Sequence, residues 1–77
     1  MSFRVRAVFQ VVDVQSTKGY FLAKVPEWHA DQLVQIDLHD ITPFARVLLY
    51  EGKRITAEID FAATSAADLH PRYWDIR

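Results

Sequence analysis

The chain has no cysteine, two glycines, three prolines and one methionine in 77 residues. Without cysteine there is neither a disulfide nor a thiolate metal site, and nothing ties the protein to an oxidising compartment. Two glycines are too few for a phosphate-binding loop or a dinucleotide fingerprint, each of which needs several at fixed spacing. A surplus of either charge is missing as well. Nine basic and ten acidic residues leave a formal net charge of −1, so bulk electrostatics selects no partner. Long apolar runs are absent. The best stretches, Phe9–Val14 and Ala45–Tyr50, are interrupted by Gln10, Asp13 and Arg46 and fall far short of the roughly 20 residues that span a bilayer. Arg4 and Arg6 stand inside the first apolar run, where a signal peptide needs an unbroken core. The expectation is a soluble cytoplasmic protein with no membrane association.

What is present is apolar and aromatic: 51 % of the residues are hydrophobic and 13 % aromatic, which excludes a disordered chain and calls for a packed core. The length leaves room for one domain, residues 1–77. Its periodicity is two. Phe3, Val5, Ala7, Phe9 and Val11 alternate with Arg4, Arg6, Val8 and Gln10, as in a half-buried strand. The phase flips at Val11-Val12, which predicts a β-bulge. Gln15–Gly19 reads as a hairpin turn, with Gly19 free to take a positive φ. Tyr20–Val25 reads as a second strand with Phe21, Ala23 and Val25 inward. Pro26–Asp31 breaks the ladder, and Leu33–Leu38 alternates again. Asp40–Pro43 is a turn or a short helical start, and Ala45–Tyr50 is either one helical turn or an extended lead-in. Lys53–Phe61 is a fourth strand with Ile55, Ala57, Ile59 and Phe61 on one side. Ala62–Leu69 is a short helix or a loop, and Arg72–Arg77 a last strand. Five strands with a long bulged first strand predict an all-β domain, a small Greek-key barrel of OB type, closed or nearly so. Closure also hides the sheet edges.

Several short motifs then resemble the bacterial cold-shock domain, a five-stranded OB barrel. Lys18-Gly19-Tyr20-Phe21-Leu22 is similar to that family's first ribonucleoprotein motif, K-G-[FY]-G-F-I, without its second glycine. Val34–Ile41 stands at the place of the second motif, Leu49–Glu58 resembles L-x-E-G-Q-x-V-x-F-E, and His70–Ile76 resembles the closing segment. The resemblance implies an OB barrel that binds single-stranded RNA or DNA on an aromatic face. At the ligand positions of that face the chain carries Asp13, Gln35 and Asp37. Tyr20 keeps a ring, and Phe21 or Leu22 takes the second place. A weaker similarity runs to bacterial translation initiation factor one, through Arg46–Ile59 and the last strand.

The binding reading therefore rests on Tyr20 and Leu22 as an apolar platform, on Lys18, Lys24, Arg54 and Arg72 as phosphate-neutralising cations, and on Tyr73 or Trp74 as an added ring. Tyr73 and Trp74 are adjacent on an alternating strand, so at most one faces the core. Binding is expected to be weak, because carboxylates replace rings and oppose phosphates. The competing reading is a protein-interaction module, or a self-associating dimer, using Trp28, Val8, Leu22 or the Ala62–Leu69 segment. Trp28 itself is either a lid over the open end of the barrel or a partner contact. His29, His39 and His70 show no ligand spacing, so no metal or other cofactor is expected. Asp37 and His39 could share a face, but a catalytic pair also needs a pocket, and no enzyme is expected.

Overall fold

Alternation governs the first strand as far as the doubled valine and then breaks. A computed structural model describes residues 3–77, and its first strand, β1, runs Arg4–Gln15. Ala7, Phe9 and Val11 are buried while Arg6 and Gln10 are exposed. Against β2 (Tyr20–Val25) the pairing passes from Val11↔Ala23 to Asp13↔Leu22, so Val12 is the extra residue of a bulge. The bulge leaves no backbone group of Val11 stranded: its N–H donates to Lys53 O and its carbonyl accepts from Gly52 N, both at 2.8 Å. The bulged strand pairs with β2 through its second half and with β4 (Arg54–Asp60) through its first, from Gln10↔Arg54 to Arg4↔Asp60.

The turns follow local chemistry. Gly19 takes φ +83° and donates to Gln15 O at 2.9 Å, a backbone shape that costs glycine nothing. After Val25 the chain turns at once, with Trp28 N donating to Val25 O at 3.0 Å, and β3 runs His29–Asp37. The strand thus starts four residues before the expected Leu33. Pro26 breaks the ladder for a single turn only, and the misfit is absorbed by a register jump between Val25↔His29 and Lys24↔Leu33. Asp37 caps a 3-10 turn at Leu38–Asp40, accepting from His39 N at 2.9 Å. Thr42 caps the single-turn helix α1 (Pro43–Arg46), with proline at the first turn where its missing N–H is harmless. A second 3-10 turn at Ala66–Asp68 precedes β5, Arg72–Asp75.

The five strands form one antiparallel sheet in the order β3-β2-β1-β4-β5. It is strongly curled. Trp74 of β5 lies edge-on to Phe9 of β1 at 4.9 Å and to Phe21 of β2 at 6.1 Å between ring centroids. In a flat sheet β2 and β5 would be about 14 Å apart, at roughly 4.8 Å per strand. Phe9, Phe21, Ile55, Ile59, Leu69, Val11 and Val25 fill the concave side. Trp28 packs on this core half-buried, its Nε1 donating to Ala63 O at 2.7 Å.

Two expectations need correction. The sheet does not close: β3 and β5 are its edges and share no ladder among the described residues. β5 has only four residues and carries a bulge of its own, since Ala57 alone lies between the rungs Thr56↔Asp75 and Glu58↔Arg72 while Tyr73 and Trp74 both lie between them on β5. The Ala66–Asp68 turn packs against β3 instead. Phe3 and Phe61 are also outside the core, 61 % and 39 % exposed. They sit beyond the last rung, Arg4↔Asp60, and pack edge-on against each other at 6.5 Å. No helix among the described residues is long and apolar enough to cross a membrane.

Candidate nucleic-acid interface

The convex face of the sheet carries the outward half of every strand, and the register fixes who is beside whom. One rung reads Leu33–Lys24–Gln10–Arg54, the next Gln35–Leu22–Asp13, and the last Asp37–Tyr20–Gln15. Side chains on neighbouring positions of a rung are about 5 Å apart. Tyr20 is flanked by Asp37 and Gln15, Leu22 by Gln35 and Asp13, and Lys24 by Leu33 and Gln10, so Tyr20 and Leu22 form a small apolar patch on β2 with Lys24 at its end. Lys18 stands exposed on the turn at one end, and Arg54 lies two strands from Lys24. Asp13, held by the Gln15 amide, and Asp37 sit beside the patch.

The cations divide by what they touch. Arg4 donates to the carbonyls of Glu58, Leu69 and His70. Arg6 donates to Thr56 Oγ1 at 3.0 Å and Tyr73 O at 2.8 Å. Arg46 donates to Ile41 O, Lys53 to Arg77 O, and Arg77 pairs with Asp75. Lys18, Lys24, Arg54 and Arg72 make no side-chain hydrogen bond or ion pair among the described residues. These four are the cations singled out from the sequence. Four of the seven expected site residues, Tyr20, Leu22, Lys24 and Arg54, share the convex face, and Lys18 stands on the turn at its end. Arg72 and Tyr73 stand apart on β5.

Those two line a cleft of about 540 Å³ at the open β3/β5 seam, with Val34 and Gln35 on the β3 side, Asp40 below, and His70 beside them. Arg72 lies over the Tyr73 ring at 5.3 Å. His70 and Tyr73 both have positive φ, +46° and +57°, the two non-glycine residues to do so among those described. Nothing in the sequence announces this, because the usual signal for such a backbone is glycine. Also unforeseen is the apolar surface of the β3–β4 connection, where Phe44 and Val47 are 89 % and 81 % exposed, beside Leu48 and Tyr50. Its i, i+3, i+4 spacing is visible in the sequence, but not which way the turn faces.

The remaining polar candidates do structural work. Asp37 accepts from the backbone of His39, not its ring. Among the described residues no three His, Cys, Asp or Glu side chains gather as a metal-ligand set. No family model, curated protein or solved structure matches the chain.

Proposed function

We propose that this is a cold-shock-like, Greek-key OB module, open at one seam, that binds single-stranded nucleic acid weakly on the convex face of β2, β1 and β4. The fold side of this reading is supported by a bulged first strand paired on both flanks in the order β3-β2-β1-β4-β5, which lacks only β3–β5 pairing to complete an OB-type barrel. The function rests on one observation: Lys24 and Arg54, without carboxylate partners among the described residues, share one face with Tyr20 and Leu22, and Lys18 is exposed on the turn next to Tyr20. The binding is cytoplasmic and non-enzymatic. One ring contributes about 1–3 kcal/mol of stacking, and three phosphate contacts give a slope of log K against log salt on the order of −2.

Titration of oligo-dT and oligo-U at low salt, followed by tryptophan fluorescence, is the test. Affinity should fall about 100-fold for each tenfold rise in salt. Tyr20→Ala and Lys24→Glu should each abolish measurable binding with the circular dichroism unchanged. No response at high micromolar protein, or a response indifferent to salt, would reject the reading.

A second reading, self-association of two copies, is favoured by the exposed cluster of Phe44, Val47, Leu48 and Tyr50. Isolated exposed apolar side chains are ordinary, but a contiguous patch marks an interaction surface. At a net charge of −1 two copies approach without mutual repulsion. Sedimentation at several concentrations should then show a weight-average mass rising with concentration, and the double variant Phe44→Ser/Val47→Ser should stay monomeric throughout. A concentration-independent monomer removes this reading.

A further inference from the structure

We propose that the cleft at the β3/β5 seam takes a guanine base, stacked on Tyr73 and bound at its pairing edge by Asp40. The inference deepens the nucleic-acid reading above and rests on it for the source of the base. It starts from Tyr73. Without the bulge, position 73 would lie opposite Ala57 and face the core. The bulge gives that inner place to Trp74, which packs on Phe9 and Phe21, and turns Tyr73 out to the sheet edge. The cost is a left-handed backbone at a bulky residue, φ +57°, where glycine is the usual occupant. Burial does not offset it, because Tyr73 is 65 % exposed. A second non-glycine residue with positive φ, His70, lines the same cleft three positions earlier. Strain of this kind clusters at ligand-binding sites and persists when neighbouring contacts hold it in place. Here the Arg6 guanidinium holds it, donating to Tyr73 O at 2.8 Å.

The lining selects the ligand. Tyr73 carries Arg72 on one face of its ring, and its exposure leaves the other face for a planar partner, as single-stranded bases use aromatic side chains. A volume of about 540 Å³ is ample for a nucleotide and lies in the usual range of small-molecule sites. Asp40 borders this cleft and also the adjoining one that Tyr73 and Trp74 line, and its exposed side chain makes no hydrogen bond or ion pair among the described residues, which leaves its carboxylate available to a ligand there. An ionised carboxylate only accepts hydrogen bonds. Guanine is the one common base whose pairing edge presents two adjacent donors, N1–H and the N2 amino group. Adenine, cytosine and uracil each set an acceptor lone pair against such a carboxylate. On guanine's other edge O6 and N7 accept. The Gln35 amide also lines the cleft and can donate to them, while Arg72, on the opposite face of the Tyr73 ring, backs the stack.

The test uses the intact chain, reading Trp74, which lines the cleft, against the 5′-monophosphates of guanosine, adenosine, cytidine and uridine. Guanosine monophosphate should bind tightest, by about tenfold or more over the others. Asp40→Asn should erase that preference. Tyr73→Gly should abolish the guanosine monophosphate response while raising the denaturation midpoint, since glycine relieves the left-handed strain. A merely structural Tyr73 would instead leave binding intact. Equal affinities for the four nucleotides, or guanosine binding retained in Tyr73→Gly, would overturn the proposal. Oligo-dT binding without a guanine preference overturns it and leaves the convex-face reading standing. A guanosine response without oligo-dT binding supports the cleft and removes the convex face.

Discussion

Phe9→Ala is expected to destabilise the protein by about 3–5 kcal/mol. Phe9 is fully buried on the central strand, with β2 on one flank and β4 on the other, and Trp74 stands edge-on to it at 4.9 Å. Truncation removes the transfer energy of the ring and leaves a cavity that three strands and an indole cannot collapse into without breaking register. The whole domain has on the order of 4–12 kcal/mol to lose, at roughly 0.05–0.15 kcal/mol per residue. The variant should therefore be largely unfolded at room temperature or have its urea midpoint moved close to zero, as read by circular dichroism. Phe44→Ala is the matched control: the same atoms are removed from a side chain 89 % exposed, and the midpoint should move by no more than a few tenths of a kcal/mol. A Phe9→Ala loss below about 1 kcal/mol would mean that the curled sheet is not what holds the fold.

Much of this core was readable from the chain. Period-two alternation in β1, β2 and β4 places Ala7, Phe9, Phe21, Ala23, Ile55, Ala57 and Ile59 inward, and the doubled valine marks the bulge because one extra residue must flip the phase. Alternation fails where strands end. Phe3 and Phe61 keep the inward phase but lie beyond Arg4↔Asp60, the last rung among the described residues, and stay exposed. The early start of β3 escapes it too, because His29–Gln32 is exposed or half-buried on both faces and has no apolar rhythm. Whether the sheet closes is a matter of the edge strands, and the bulge at Tyr73 carries no glycine to announce it. The convex-face cations were identifiable by type and phase. That Arg4 and Arg6 are committed elsewhere depends on carbonyls more than 50 residues away. Only the three-dimensional arrangement sorts the free cations from the engaged ones.

Arg4 supplies the second large effect. Its guanidinium ties the first strand to the end of the chain: Nη1 donates to Leu69 O at 3.3 Å, and Nη2 to Glu58 O at 3.1 Å and His70 O at 2.9 Å. The side chain is 18 % exposed, and Glu58 is an ion-pair neighbour at 3.8 Å. Arg4→Ala takes the guanidinium from Glu58 O and His70 O, leaves Leu69 O with its Asp60 N–H bond alone, and removes the ion-pair neighbour of Glu58. Hydrogen bonds to charged groups contribute about 1.5–3 kcal/mol each but do not add, so a loss of about 2–3 kcal/mol is expected in the urea midpoint. Arg4→Lys should recover little of it, because one ammonium on a flexible stem cannot fork between β4 and the Leu69–His70 segment. The consequence reaches the seam cleft, since His70 is both a partner of Arg4 and a wall of the cleft. Asp60 N–H donates to Leu69 O at 2.9 Å, so this amide should exchange faster in Arg4→Ala and Arg4→Lys while the amides of β2 keep their relative protection. Arg4→Met, which retains the apolar stem, separates packing from hydrogen bonding. A midpoint equal to that of the native chain would mean that water replaces the guanidinium at these carbonyls without cost.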